Sequence, residues 1–299
     1  MQDLWWLVSV FASFVFGMYI FANQVFKLKG SLVMIYRGIG TALVMLPFVF
    51  LVPALDTPLF YYLCIFQGLV IAYFDNRMFN AAKIFGAETT AVIQPLSVVF
   101  VFFSWFLIKP QQLFDLSQNP LKLALTIVAI LCIVASVWNI KKGRISKTAF
   151  LYLLPALLSV TIIDLGGKFL MDMGSEDVFS AIFYYSLITS IVAGSANAVA
   201  YFKQGNKIDE VLIPRNIVCA GIPIVVLILS MYTFKNYSLY LAENPGYVMA
   251  IIYTYPIWIL LANNLYSSYF NHKIYSKINK FTVLMMVVSI ITLVWAVQS

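Results

Sequence analysis

Apolar runs of about 20 residues follow one another along this chain with only short polar breaks, and each is long enough to cross a hydrocarbon core of about 30 Å. Lipid offers the backbone no partners, so a crossing segment must satisfy its own hydrogen bonds. A barrel would alternate apolar and polar residues strand by strand, which these continuous runs do not do. The expected fold class is therefore all-α integral membrane, with ten transmembrane helices. The runs cover 4–25, 31–52, 59–84, 87–108 and 121–140, then 149–170, 178–202, 217–241, 245–266 and 281–297. With 62% hydrophobic and 10% charged residues, no stretch is left for a soluble domain. The first run follows Asp3 and lacks a basic leader and a small-residue cleavage site, so it is expected to be a retained helix.

Function classes narrow quickly. Cys64, Cys132 and Cys219 lie far apart and inside apolar runs, where cysteine behaves as a small hydrophobe, so neither a disulfide nor a metal site is expected. The net charge of +7 comes from short loops between spans and reads as topology, with no nucleic-acid partner implied. No cofactor motif is present. An intramembrane enzyme would need a nucleophile with a base, or metal ligands, yet the single histidine is His272 in a loop and neither HExxH nor GxSxG occurs. No run carries a repeated polar pore face, which argues against a channel. A non-transporting scaffold subunit stays open as an alternative.

The basic segment Lys141, Lys142, Arg144, Lys147 divides the chain into a first five-helix repeat at 1–140, a linker at 141–148 and a second repeat at 149–299. Near the middle of the first half, Ala81-Ala82-Lys83-Ile84-Phe85-Gly86 runs almost directly into Ala87 and on to Pro95. The second half answers with Tyr240 to Gly246, followed by a run carrying Pro256. An odd number of helices per half turns the two copies upside down relative to each other, the inverted-repeat layout of secondary transporters. Kinks are expected at Pro47, Pro95, Pro155, Pro223 and Pro256.

These residues resemble the drug/metabolite transporter (DMT) superfamily, in particular its EamA-like ten-helix members. The resemblance rests on Ala81, Ala82 and Lys83 through Gly86, Ala87, Thr90, Pro95 and Leu107, and on Arg37 early in the second helix. The acidic residue usual after the fourth helix is replaced by Lys109-Pro110-Gln111-Gln112. The resemblance implies a solute carrier with a central cavity between halves, working on small molecules such as amino acids, nucleotide sugars, nucleotides or drugs, without a cofactor. It implies a multi-pass protein of a bacterial inner membrane.

Ionisable residues within spans cost several kcal/mol unless paired or hydrated, which makes them functional candidates. Arg37 and Asp75 lie close enough in depth for the arginine to reach the carboxylate, so an ion pair is expected with Arg77 near it. Asp164 and Lys168 share a helix face at i, i+4, and Lys235 reaches a similar depth from the opposite side of the membrane to the first cluster. Both clusters can be read as helix locks or as charged gates flanking a central cavity. Between them, Gln67, Gln94, Tyr253 and Tyr255 offer neutral hydrogen-bonding groups, to a substrate or equally to a neighbouring helix. The residues expected to bind substrate are Arg37, Asp75, Arg77, Gln94, Asp164, Lys235 and Tyr253. Counting Arg37, Arg77, Lys168 and Lys235 against Asp75 and Asp164 leaves a positive excess, which favours an anionic or zwitterionic solute. Asp75 or Asp164 could couple transport to protons, and exchange against a counter-solute is the other option.

Loop charge sets an orientation. Lys27, Lys29, Lys83, Lys203, Lys207, Arg215, Lys273, Lys277, Lys280 and the linker residues fall on one side, and only Lys109 and Lys122 on the other. The basic side is expected to be cytoplasmic, with both chain ends outside, whereas the resemblance to the transporter family implies both ends in the cytosol.

Overall fold

The computed structural model describes residues 4–26, 29–85, 93–141, 146–270 and 280–298. Among these every regular element is helical. We number them α1 (Trp5–Phe26), α2 (Gly30–Phe50), α3 (Pro58–Phe85), α4 (Ile93–Ile108), α5 (Pro110–Ser117), α6 (Pro120–Lys141), α7 (Lys147–Met173), α8 (Val178–Lys203), α9 (Ile208–Leu212), α10 (Pro214–Leu241), α11 (Pro245–Ile252), α12 (Pro256–Phe270) and α13 (Lys280–Gln298). Nine of the described spans are long and apolar enough to cross a membrane, with α11 and α12 forming one of them. The count reaches ten when α4 and α5 are taken as one bent span. Large apolar side chains such as Leu43, Leu69, Phe103 and Leu265 face outward along these helices, as lipid contact requires. The chain is a multi-pass helical membrane protein.

Several helix interruptions trace to particular residues. Between α4 and α5 the axis turns by 104° at Lys109, because Pro110 opens a new helix at its first position, where a missing N–H costs nothing. This short helix lies between two of the expected apolar runs, where no element was expected. Trp105 Nε1 donates to Gln112 Oε1 at 2.8 Å and holds the corner. In the ninth span, Pro256 cannot donate to the turn before it, and Tyr253, Thr254 and Tyr255 form a buried turn between α11 and α12. Pro47 sits at the start of the 3₁₀ end of α2, Leu46–Phe50. Pro223 follows a π-helical turn, Ile217–Gly221, in α10. Pro155, in contrast, lies inside α7 without interrupting it. The expected close connection at Gly86 lies outside the described residues.

Most helix packing joins the first half of the chain to the second. α1 packs along α10 and α3 along α8 and α7, while α13 lies along α6. α4 contacts α7 and α11, and α1 contacts α11 and α12. At the α2–α8 crossing backbone meets backbone: a Cβ on Gly38 would lie 2.3 Å from the Gly194 Cα, so only glycine fits at either position. Buried hydroxyls add to these contacts. Ser9 on α1 hydrogen-bonds Ser238 on α10, and Ser13 meets both Thr254 at 3.2 Å and the Trp258 indole N–H at 3.2 Å.

Candidate functional site

The α2–α8 crossing fixes the first charged pair. Arg37 lies in a π-helical turn of α2, Tyr36–Gly40, one residue from Gly38, and its guanidinium forms an ion pair with Asp75 on α3. Asp75 is 3% exposed. Asn197, one helical turn beyond Gly194 on α8, donates to Asp75 Oδ2 at 3.2 Å. Asn76 in turn donates to Asn197 Oδ1 at 3.1 Å, which fixes the amide's orientation. A buried ion pair repays its desolvation only when such extra hydrogen bonds satisfy it.

A second pair forms between α7 and α10. Lys235 donates to Asp164 Oδ1 at 2.7 Å, and Tyr253, in the turn between α11 and α12, donates to Asp164 Oδ2 at 2.9 Å. The break in the ninth span thus delivers a hydroxyl to a fully buried carboxylate. In the same turn, Tyr255 donates to Gln94 Oε1 at 3.0 Å.

Both pairs line one cavity of about 110 Å³ in the middle of the bundle. Six of the seven residues expected to bind substrate form part of its wall: Arg37, Asp75, Gln94, Asp164, Lys235 and Tyr253. The remainder is largely apolar or aromatic, with Phe16, Ile71, Phe74, Met231, Met249 and Ile252, and with Tyr185 and Tyr232. The two clusters share this space instead of flanking it.

Two expectations are corrected, at Arg77 and Lys168, and at Gln67 one of two open readings is taken. Arg77 does not join the Arg37 pair: its guanidinium stacks over Tyr152 at 3.8 Å and its Nε donates to the Tyr152 carbonyl at 3.1 Å. Lys168 turns away from Asp164 and pairs with Asp172 at 2.6 Å, because the next turn of α7 offers a carboxylate nearer the membrane surface. Gln67 donates to the Ile162 carbonyl at 3.1 Å and lies over Gly166, so it ties α3 to α7. The positive excess counted from the sequence therefore is not at the cavity, where two cations face two carboxylates.

Two wider clefts lie beyond this wall. One of about 360 Å³ is lined by Lys29, Lys83, Asn76, Asn197 and Gln204, and so reaches Asp75 through its two asparagine neighbours. The other, of about 450 Å³, is lined by Lys109, Lys168, Asp172, Tyr237 and Glu243. Asn197 and Asn236 are the residues at the site that sequence reasoning missed. Neutral amides inside apolar runs were their only signal, and Asn236 was overshadowed by its charged neighbour Lys235.

Fold and site together define a helical membrane protein with a charged, internally neutralised cavity among its helices. Compared with known proteins, the chain matches no family model and no curated sequence.

Proposed function

We propose that the protein is a secondary carrier that moves a small polar or amphipathic metabolite across a membrane by alternating access. In this reading it is built like the drug/metabolite transporters it resembles, as two oppositely oriented five-helix repeats in a bacterial inner membrane. The observation that carries the proposal is the central cavity, walled by ion pairs from both halves and set between two wider clefts. A buried charged cavity destabilises a purely structural bundle, whereas a carrier needs groups that can desolvate and hold a solute.

The helix pairing supports the repeat. With α1, α2, α3, α4 and α6 as counterparts of α7, α8, α10, α11–α12 and α13, the α1–α10 contact answers α7–α3, and α1 against α11–α12 answers α7–α4. The α2–α8, α4–α11 and α6–α13 contacts each join a helix to its own counterpart. Such exchange is what a two-fold axis in the membrane plane produces. Rocking of the repeats would open the cavity alternately to the Asn76–Asn197 cleft and to the Lys168–Asp172 cleft. In this reading Asp75 or Asp164 would carry any proton coupling, and exchange against a counter-solute is the other option.

Purified protein in proteoliposomes tests the proposal. Saturable uptake or counterflow of a metabolite, abolished by Asp164→Asn with Lys235→Met, is expected; no solute movement from a broad metabolite mixture would remove the carrier assignment. The orientation is tested separately by a reporter at Ser299, for which an external signal is expected from the loop charges.

A further inference from the structure

The four charges at the central cavity are already matched, Arg37 with Asp75 and Lys235 with Asp164. Asn236 is not. It lies on α10 beside Lys235, is 1% exposed and forms part of the cavity wall, and neither its Oδ1 nor its Nδ2, both closed to water in this conformation, has a hydrogen-bond partner in the protein. Among the described buried side-chain atoms of this wall, these two alone are unpartnered. A buried amide without a partner is costly, and such groups in native proteins call for an explanation.

We infer that Asn236 is the recognition residue of the cavity and that its ligand is a small, net-neutral solute bearing a donor and an acceptor on one edge: a primary carboxamide, a lactam or a ureide. The inference rests on the carrier reading for its purpose, but the binding chemistry stands on the wall itself. An asparagine amide offers one acceptor and one donor side by side, which pairs bidentately with a group offering the reverse. A carboxylate presents only acceptors and an ammonium only donors, so each leaves half of Asn236 unmatched. The balanced charge of the wall gives no net attraction to an ion. Met231, Met249 and Ile252 supply apolar contact for the rest of the solute. A cavity of about 110 Å³ is somewhat smaller than the roughly 150 Å³ that holds benzene. A five-membered lactam is of a size that this space can take.

The probes are 2-pyrrolidone, N-methyl-2-pyrrolidone, acetate and methylammonium, added to the detergent-purified full chain while its thermal unfolding is followed. Binding to the folded state raises the unfolding temperature saturably. The expected result is such a rise with 2-pyrrolidone and at least a tenfold weaker response to its N-methyl derivative, which lacks the donor, and to both ions. In Asn236→Leu the 2-pyrrolidone response is lost while the unliganded unfolding temperature stays level or rises, since an unpartnered amide has been removed. Equal responses to the two lactams overturn the proposal, and this comparison needs no variant to fold. So does a lack of response to 2-pyrrolidone, a response retained in Asn236→Leu, or a fall in that variant's own unfolding temperature. Counterflow in proteoliposomes separates the two readings. Lactam binding without solute movement removes the carrier and leaves the recognition residue, whereas movement of an ion without lactam binding does the reverse.

Discussion

Tyr253 donates to the Asp164 oxygen that Lys235 leaves free, so a residue in a helix break completes a buried ion pair formed by two other helices. The arrangement couples the shape of the ninth span to the charge state of the cavity. Tyr253→Phe removes that hydrogen bond with little change in volume. A loss of about 1–2 kcal/mol in stability is expected, as for hydrogen bonds between membrane helices. Unfolding in mixed micelles measures it. An unchanged stability would mean that water replaces the hydroxyl and that the turn is not held by Asp164.

How far the site was legible in the sequence depended on how each group signals its need for a partner. Arg37 and Asp75 stood out because a charge inside an apolar run must be paired, and few candidates lay within reach. Asp164 raised the same demand but offered two answers. Its partner on the same helix, Lys168, had the right spacing, yet Lys235 came through packing that periodicity does not encode. Tyr253 was readable as a mid-span hydroxyl and Pro256 as a break, but not that the break aims the hydroxyl at a carboxylate. The α4–α5 corner was invisible as a helix, since its apolar content is low and only Pro110 marks its start.

On the basic face, Lys29 pairs with Glu210 at 2.8 Å and Tyr201 donates to the same carboxylate at 3.0 Å. The lysine hydrogen bond first, and then the tyrosine, hold Glu210 below its ordinary value of 4.5. A carboxylate lowered by folding stabilises the folded state above its unfolded value and loses that contribution as pH falls through the folded one. Wild-type protein and Glu210→Gln should thus differ by a small constant margin in unfolding temperature at neutral pH, and the margin should close as pH falls through the lowered value of Glu210. Because Lys29 is 59% exposed, raising the salt concentration should shrink it as well. Thermal scans over pH and salt measure both trends.

The α2–α8 crossing makes a steric prediction. A methyl group on Gly194 would meet the Ile39 amide nitrogen at 2.7 Å and the Gly38 carbonyl carbon at 2.8 Å, and backbone cannot step aside as a side chain can. Gly194→Ala is expected to cost about 1–3 kcal/mol through overpacking. It should also move Asn197, one turn along α8, away from Asp75. By contrast, Gly205 has a positive φ of 78° with open space around it, so a substitution there strains only the local turn. Equal loss of solute movement in Gly194→Ala and Gly205→Ala would show that the crossing has no special part in shaping the cavity.

The Arg37–Asp75 pair allows the cost of a buried charge to be separated from the worth of a contact. Arg37→Met leaves Asp75 buried with only the Asn197 amide as partner, and removal of one member of a buried pair costs about 3–5 kcal/mol. Asp75→Asn in that background removes the stranded charge but keeps a side chain able to accept from Asn197. The double variant should therefore recover most of the lost stability, and a double-mutant cycle should give a coupling of about 2 kcal/mol or more. Stability and transport should then part company: the double variant folds nearly as well as the wild type, yet its cavity keeps only the Lys235–Asp164 pair. If Arg37 and Asp75 serve only to lock α2 to α3, solute movement returns with stability. If they line the working cavity, stability returns alone, and that is the outcome expected from their place in its wall.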